Sequence, residues 1–213
     1  MSSVVGAAPV ITRAFWTRLI FALDGCLQRR SGVFEYSDAH DCIFRAQLSR
    51  LAGNVVLADG SLGRAGDRVI DLHFWNEQIP VKAPGGNSLA WGCRFNRCFA
   101  KSLLELGQFL KNNSEFADVE IIRANVNLEM LDRIAERHGF EPTCNFGTPP
   151  TWKHIREFGE NILFWLLALA CNPGGRKQFW RHRKLLYLSR RTLDREFAIF
   201  ARTDLSVRGR VRR

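Results

Sequence analysis

NVVLADGSLGRAGDRVIDLHFWNEQIP, residues Asn54 to Pro80, is the stretch on which the reading of this chain turns. Two runs rich in β-branched residues, Val55–Leu57 and Val69–Leu72, flank Asp59-Gly60 and a second break at Ala65-Gly66-Asp67. Asp-Gly and Gly-Asp supply the positive-φ positions that reverse a chain, so the stretch reads as a hairpin or a broken hairpin. Its second arm runs straight into His73-Phe74-Trp75-Asn76-Glu77, polar and aromatic groups crowded ahead of Pro80. Small α/β domains place their sites at strand ends of this kind.

Upstream, Asp41 to Arg50 alternates Cys42, Phe44, Ala46 and Leu48 inward against Arg45, Gln47 and Ser49 outward. That is the period of a half-buried strand, and with the two hairpin arms it makes three strands expected as antiparallel neighbours. Further upstream, Val10 to Gln28 carries Ile11, Phe15, Leu19, Ala22, Leu23 and Leu27 on one helical stripe, closed by Gly32. Downstream, Leu89 to Lys111 is a long amphipathic helix with Trp91, Phe95, Phe99, Leu103 and Leu106 on one face and Arg94, Arg97, Lys101 and Glu105 on the other. A strand at Asp118–Arg123, a helix at Leu128–His138 ended by Gly139, and a strand at Phe140–Phe146 complete the pattern. The order predicts an α/β (α+β) fold: a mixed sheet with an antiparallel hairpin, helices packed on it, and a helical, basic C-terminal segment.

Gly147-Thr148-Pro149-Pro150 reads as a linker. It divides the chain into an α/β domain at 1–147, a helical extension at 151–202 and a basic tail at 203–213. In the extension, the ten residues Ile162–Cys171 are all apolar, a rise of about 15 Å that is too short to span a bilayer. Such a helix is either covered within the fold or covered by a second copy of the chain as a homodimer, unless it meets a membrane surface. Asn172-Pro173-Gly174-Gly175 stops it, and Ser189 is placed to cap a last helix bearing Leu193, Phe197 and Phe200.

Charge is spread unevenly along the 213 residues. Residues 1–150 hold 16 Lys+Arg and 16 Asp+Glu, whereas residues 151–213 hold 15 and 5, so the whole formal +10 belongs to the last 63 positions. Arg176, Lys177, Arg181, Arg183 and Lys184 therefore form a candidate anionic-surface patch. Nucleic acid fits less well than an anionic membrane surface, because the same region carries the all-apolar helix. The six cysteines sit mostly among apolar neighbours without a Cys-x-x-Cys, which predicts buried thiols in a reducing compartment. Met1 to Trp16 lacks the pattern of a secretory signal, so the chain is expected in the cytoplasm, with peripheral attachment to the inner face of the membrane.

His73 and Glu77 are the candidate acid/base pair, since a carboxylate beside an imidazole fixes its tautomer and raises its basicity. Trp75, Asn76 and Arg94 are the candidate ligand-binding residues. No nucleophile elbow, zinc-protease motif, dinucleotide fingerprint or phosphate loop is present. Cys93, Cys98 and His73 fit no common zinc spacing, so neither metal nor cofactor is expected.

Four separated blocks, LADG-x-x-GRAGD, DLHFWNE, LAW…RF…R…SL and NP…RR…YLSRRTL, occur in order between about Arg18 and Phe197. Together they resemble the YkoP-like domain family. The resemblance implies a bacterial origin and an association with polysaccharide deacetylases and cell-envelope genes, and it transfers no catalytic residue. An accessory or ligand-binding domain for an envelope glycan or lipid component is accordingly the leading expectation. A small transferase or hydrolase using His73 and Glu77 is the alternative, and nucleic-acid binding through the basic end is a third.

Overall fold

The structure, a computed structural model, describes Ala22, Cys26 and residues 30–75, 77–80, 87–126, 129–142 and 184–196. The chain divides into two compact units, Met1–Ser31 with Pro149–Trp180, and Gly32–Thr148 with Arg181–Arg213. In the first unit only Ala22, Cys26, Arg30 and Ser31 are described, the first three of them helical. The expected apolar helix at Ile162–Cys171 lies outside the described residues. Every strand and helix named below belongs to the second unit.

In order these are β1 (Val33–Phe34), β2 (Phe44–Arg50), β3 (Val55–Val56), β4 (Leu62–Gly63), β5 (Arg68–Phe74), α1 (Ser88–Asn112), β6 (Ile121–Val126), α2 (Glu129–Arg137), β7 (Glu141–Pro142) and β8 (Lys184–Ser189), with residues 190–196 helical. Six strands form one sheet in the order β1-β2-β5-β6-β8-β7, parallel only between β5 and β6 and antiparallel elsewhere. The chain is thus a mixed α/β fold, as the alternation of periods predicts.

The hairpin is a broken one. Val55 and Val56 pair with Gly63 and Leu62 around the Asp59-Gly60 turn, where Gly60 has φ +82°. A second turn at Arg64–Asp67, with Gly66 at φ +92°, then sends β5 away to pair with β2 over seven residues. The arms Val55–Leu57 and Val69–Leu72 are therefore not partners, because two tight turns intervene where one hairpin needs a single reversal. Gly63 explains the close seat of the small hairpin. A Cβ there would stand 2.5 Å from Leu51 Cδ1 and 3.0 Å from Ile121 Cγ1, so only glycine lets its backbone lie against the sheet.

Alternation sorts the sheet into two faces. Phe44, Ala46, Ile70, Leu72, Ile122, Leu186 and Leu188 point to the face covered by α1 and α2, and meet Phe95, Phe99, Leu106, Leu131 and Ile134 there. Each Leu, Ile or Phe among them, once buried, contributes about 1.5–3 kcal/mol. Asn87 caps α1 by accepting from Leu89 N–H at 2.8 Å, and Ser102, on its buried side, accepts from Ile43 N–H at 2.8 Å and donates to Cys98 O at 2.7 Å. On the other face Leu51, Val55, Leu57, Val69, Ile121 and Tyr187 form a second apolar cluster beneath the β3–β4 hairpin.

Strand β8 differs from the sequence reading. Lys184–Ser189 falls within the segment 151–202 read as helical, yet it is a strand between β6 and β7. Leu186 and Leu188 serve one core and Tyr187 and Leu185 the other, so its apolar run is continuous and shows no strand period. Ser189 does open the following helix as predicted, its Oγ accepting from Thr192 N–H at 2.9 Å.

Candidate functional site

The pleat puts Arg45, Gln47 and Ser49 of β2 and Asp71 and His73 of β5 on the face away from the helices. Arg45 lies opposite His73, and Gln47 opposite Asp71. Gln47 also begins one register line across the sheet: Asp71 faces Arg123 on β6, Arg123 faces Tyr187 on β8, and Tyr187 faces Glu141 on β7. A row of polar and ionisable groups thus crosses five strands.

Its centre is a forked ion pair. Arg123 donates from Nε to Asp71 Oδ1 at 2.6 Å and from Nη2 to Asp71 Oδ2 at 2.7 Å. Ser49 Oγ donates to Asp71 Oδ2 at 2.7 Å and accepts from Arg123 Nη2 at 3.1 Å. Burial disfavours the cation, but Asp71 outweighs it and the Arg123 value is raised. These groups hold one another and brace the floor of the site.

Toward the carboxyl end of β5 the row gives way to a constellation around Arg45. Its guanidinium, only 7% exposed, lies 4.5 Å from the centre of the Trp75 ring and 3.0 Å, through Nη2, from Glu35 Oε1. Nη1 is 3.9 Å from Glu77 Oε2. His73 Nε2 meets Gln47 Oε1 at 2.9 Å, a contact in which the ring nitrogen donates. Trp75 N–H donates to Ile43 O at 2.8 Å beyond the end of β5, and Gln78 N–H donates to Trp75 O at 2.9 Å to close the turn that carries Glu77. Beneath, Phe44 packs on Phe74 at 5.1 Å and edge-on to Phe99 at 4.9 Å, which makes the strand ends rigid.

Of the sequence-predicted site residues, the structure gathers His73, Trp75 and Glu77 around Arg45. It gives His73 a Gln47 partner and turns Glu77 toward Arg45. Arg94 is exposed on α1, the helix that covers the opposite face of the sheet, and so stands apart from this constellation. Asn76 lies outside the described residues, as do Arg176, Lys177, Arg181 and Arg183. Lys184 is described; it is exposed and pairs with Asp132 Oδ2 of α2 at 3.0 Å. Arg45, Gln47 and Glu35 were missed, because strand alternation marks Arg45 only as outward-facing and gives no sign that the outward face is itself filled.

A second polar node joins the hairpin to the last described helix. Asp59 accepts from Ser61 N–H at 2.9 Å, from Ser189 Oγ at 2.5 Å and from Thr192 Oγ1 at 3.2 Å. Burial raises its carboxyl, but the bonds from Ser189, Ser61 and Thr192 prevail and hold it at about 2. A carboxylate saturated by hydroxyl and amide donors anchors a turn and does no acid/base work near neutrality.

The cysteine expectation is met in part. Of the described cysteines, Cys26, Cys42, Cys93 and Cys98 are thiols, Cys42 and Cys98 buried and Cys26 and Cys93 exposed; Cys144 and Cys171 lie outside the described residues. Among the described residues no helix is long and apolar enough to cross a membrane.

No curated protein and no solved structure matches the chain. Three of the four sequence blocks find structural reasons for standing together: LADG is tied to YLSRRTL through Asp59, Ser189 and Thr192, and DLHFWNE supplies Trp75 and Glu77 to Arg45. The sequence model of the YkoP domain matches residues 13–197, well over half the length, and the chain belongs to the YkoP domain family.

Proposed function

We propose that this is an accessory, ligand-binding domain linked to bacterial cell-envelope metabolism that holds a saccharide-bearing component at the strand ends of its sheet. The observation that carries the reading is the Arg45 guanidinium over the Trp75 ring, with Glu77 beside Arg45 and the His73–Gln47 pair on the same face, at the carboxyl end of β5. A sugar presents hydroxyls that both donate and accept, beside an apolar C–H face. Guanidinium, imidazole, amide and carboxylate groups beside an indole match both. The bacterial and envelope setting, and the link to polysaccharide deacetylases, come from the family resemblance.

Binding fits this geometry better than turnover by His73 and Glu77. In a carboxylate-supported histidine base the carboxylate accepts from the N–H of the ring nitrogen opposite the one that takes the proton, whereas here His73 Nε2 donates to the Gln47 amide and Glu77 lies beside the Arg45 guanidinium. The same reading keeps the protein in the cytoplasm, with its basic C-terminal part against the anionic inner face of the membrane.

The test is a titration of the full-length, isotope-labelled protein with short oligosaccharides, followed by amide and indole NMR shifts. Resonances of Trp75, Gln47 and His73 are expected to move together, and Trp75→Ala to abolish binding with the fold intact. Absence of any shift at millimolar ligand, or shifts that survive Trp75→Ala, would sink the proposal.

A further inference from the structure

Arg45 is the most deeply buried cation of the constellation, and its two carboxylates hold it unequally. Glu35 sits at 3.0 Å, within hydrogen-bond range, whereas Glu77 stands off at 3.9 Å, where only an electrostatic contact remains. Glu77 is also accessible. It is 34% exposed and rides on the short turn after β5 that Gln78 N–H closes on Trp75 O. Trp75, by contrast, is fixed by Ile43 O, and Arg45 by the sheet.

A guanidinium fork prefers a carboxylate presented in plane and bidentately, and it recovers the cost of its burial best with such a partner. We infer that the ligand of this site is an acidic saccharide, whose carboxylate takes the place of Glu77 beside Arg45 while its ring lies near Trp75. Glu77 is then a competitor that an acidic ligand displaces into solvent and that a neutral sugar leaves in place. His73 and Gln47, half-buried next to Arg45, are placed for the hydroxyls. The exchange conserves charge, one carboxylate leaving the guanidinium as another arrives, so the buried cation is never stranded. This inference rests on the saccharide-binding reading above.

Calorimetric titration of the full chain with a galacturonic acid trimer and an N-acetylglucosamine trimer separates the two ideas. The acidic trimer is expected to bind more tightly, and added salt to reduce its advantage. Glu77→Gln removes the competitor and is expected to tighten the acidic trimer about fivefold, with the neutral trimer unchanged. Arg45→Lys keeps the charge without the fork, and should narrow the preference. Equal binding of the two trimers, or a Glu77→Gln variant that binds the acidic trimer no better than the parent protein, overturns the inference and leaves saccharide binding standing. Failure of both trimers to bind overturns both.

Discussion

Asp59 draws on three donors from two blocks that lie 130 residues apart, and its carboxyl is held at about 2 instead of the ordinary 3.8. The pH consequence has a definite sign. A carboxyl depressed in the native state stabilises the fold in full above its unfolded value, and that contribution is lost as pH falls from 3.8 through about 2. Asp59→Asn is therefore expected to lower the unfolding midpoint by roughly 2–5 °C at pH 7. The gap between parent and variant should close as both approach pH 2. A gap that is the same at pH 7 and pH 2 would show that the carboxylate charge is not what these bonds depend on.

At the scale of elements, Arg190 joins the end of β8 to the far end of α1. Its guanidinium donates to Phe116 O at 2.7 Å and Leu110 O at 2.8 Å, and its backbone N–H donates to Glu120 O at 2.9 Å. Carbonyls at a helix C-terminus have no partner within the helix, and a cation there also meets the negative end of the dipole. Arg190→Ala is expected to cost about 2–4 kcal/mol in urea unfolding with little change in the slope, because carbonyl groups near the core lose a charged donor. Arg190→Lys should recover less than half, since an ammonium cannot reach the separated carbonyls at once. A loss below about 0.5 kcal/mol for the alanine variant would show that water replaces the staple.

The same scale shows what could be read from the chain alone. The Leu89–Lys111 periodicity gave α1 within a residue at each end, because Asn87 caps it and one apolar stripe persists through it. The Asp41–Arg50 alternation gave β2, and Gly139 marked the end of α2. Strand β8 escaped, because cores on both its faces erase the alternation that would reveal it. Arg45 escaped for a related reason. Alternation separates one face from the other, but does not say that a face turned from the helices will hold a nearly buried guanidinium. The density of His73, Trp75 and Glu77 was visible; their common attachment to Arg45 depends on strand pairing, which spacing along the chain does not encode.

For the molecule as a whole, the charge imbalance is the dominant property: residues 1–150 are neutral in sum and residues 151–213 carry +10. Cations near an anionic leaflet contribute about 1 kcal/mol each, so a handful, together with some apolar contact, gives reversible attachment. Lys184 contributes less than an unengaged cation would, since Asp132 already pairs with it. Sedimentation with phosphatidylglycerol vesicles is expected to carry the protein down at low salt and release it at high salt, with neutral vesicles inactive. Protein that stays in the supernatant with anionic vesicles at low salt would end the membrane reading.

The place of β8 between β6 and β7 has a consequence for how the protein is made. When β6 and β7 emerge from the ribosome their shared neighbour does not yet exist, and Val126 waits for Lys184, its partner in the register. At translation rates of 5–20 residues per second, the 63 positions from Val126 to Ser189 take roughly 3–13 s to appear. During that interval the inner edge of the sheet presents unpaired backbone to anything nearby, including the nascent chain of the next ribosome on the same message. The sheet is therefore completed from the inside last, and a growing chain of this protein meets its greatest hazard of misassembly late in synthesis.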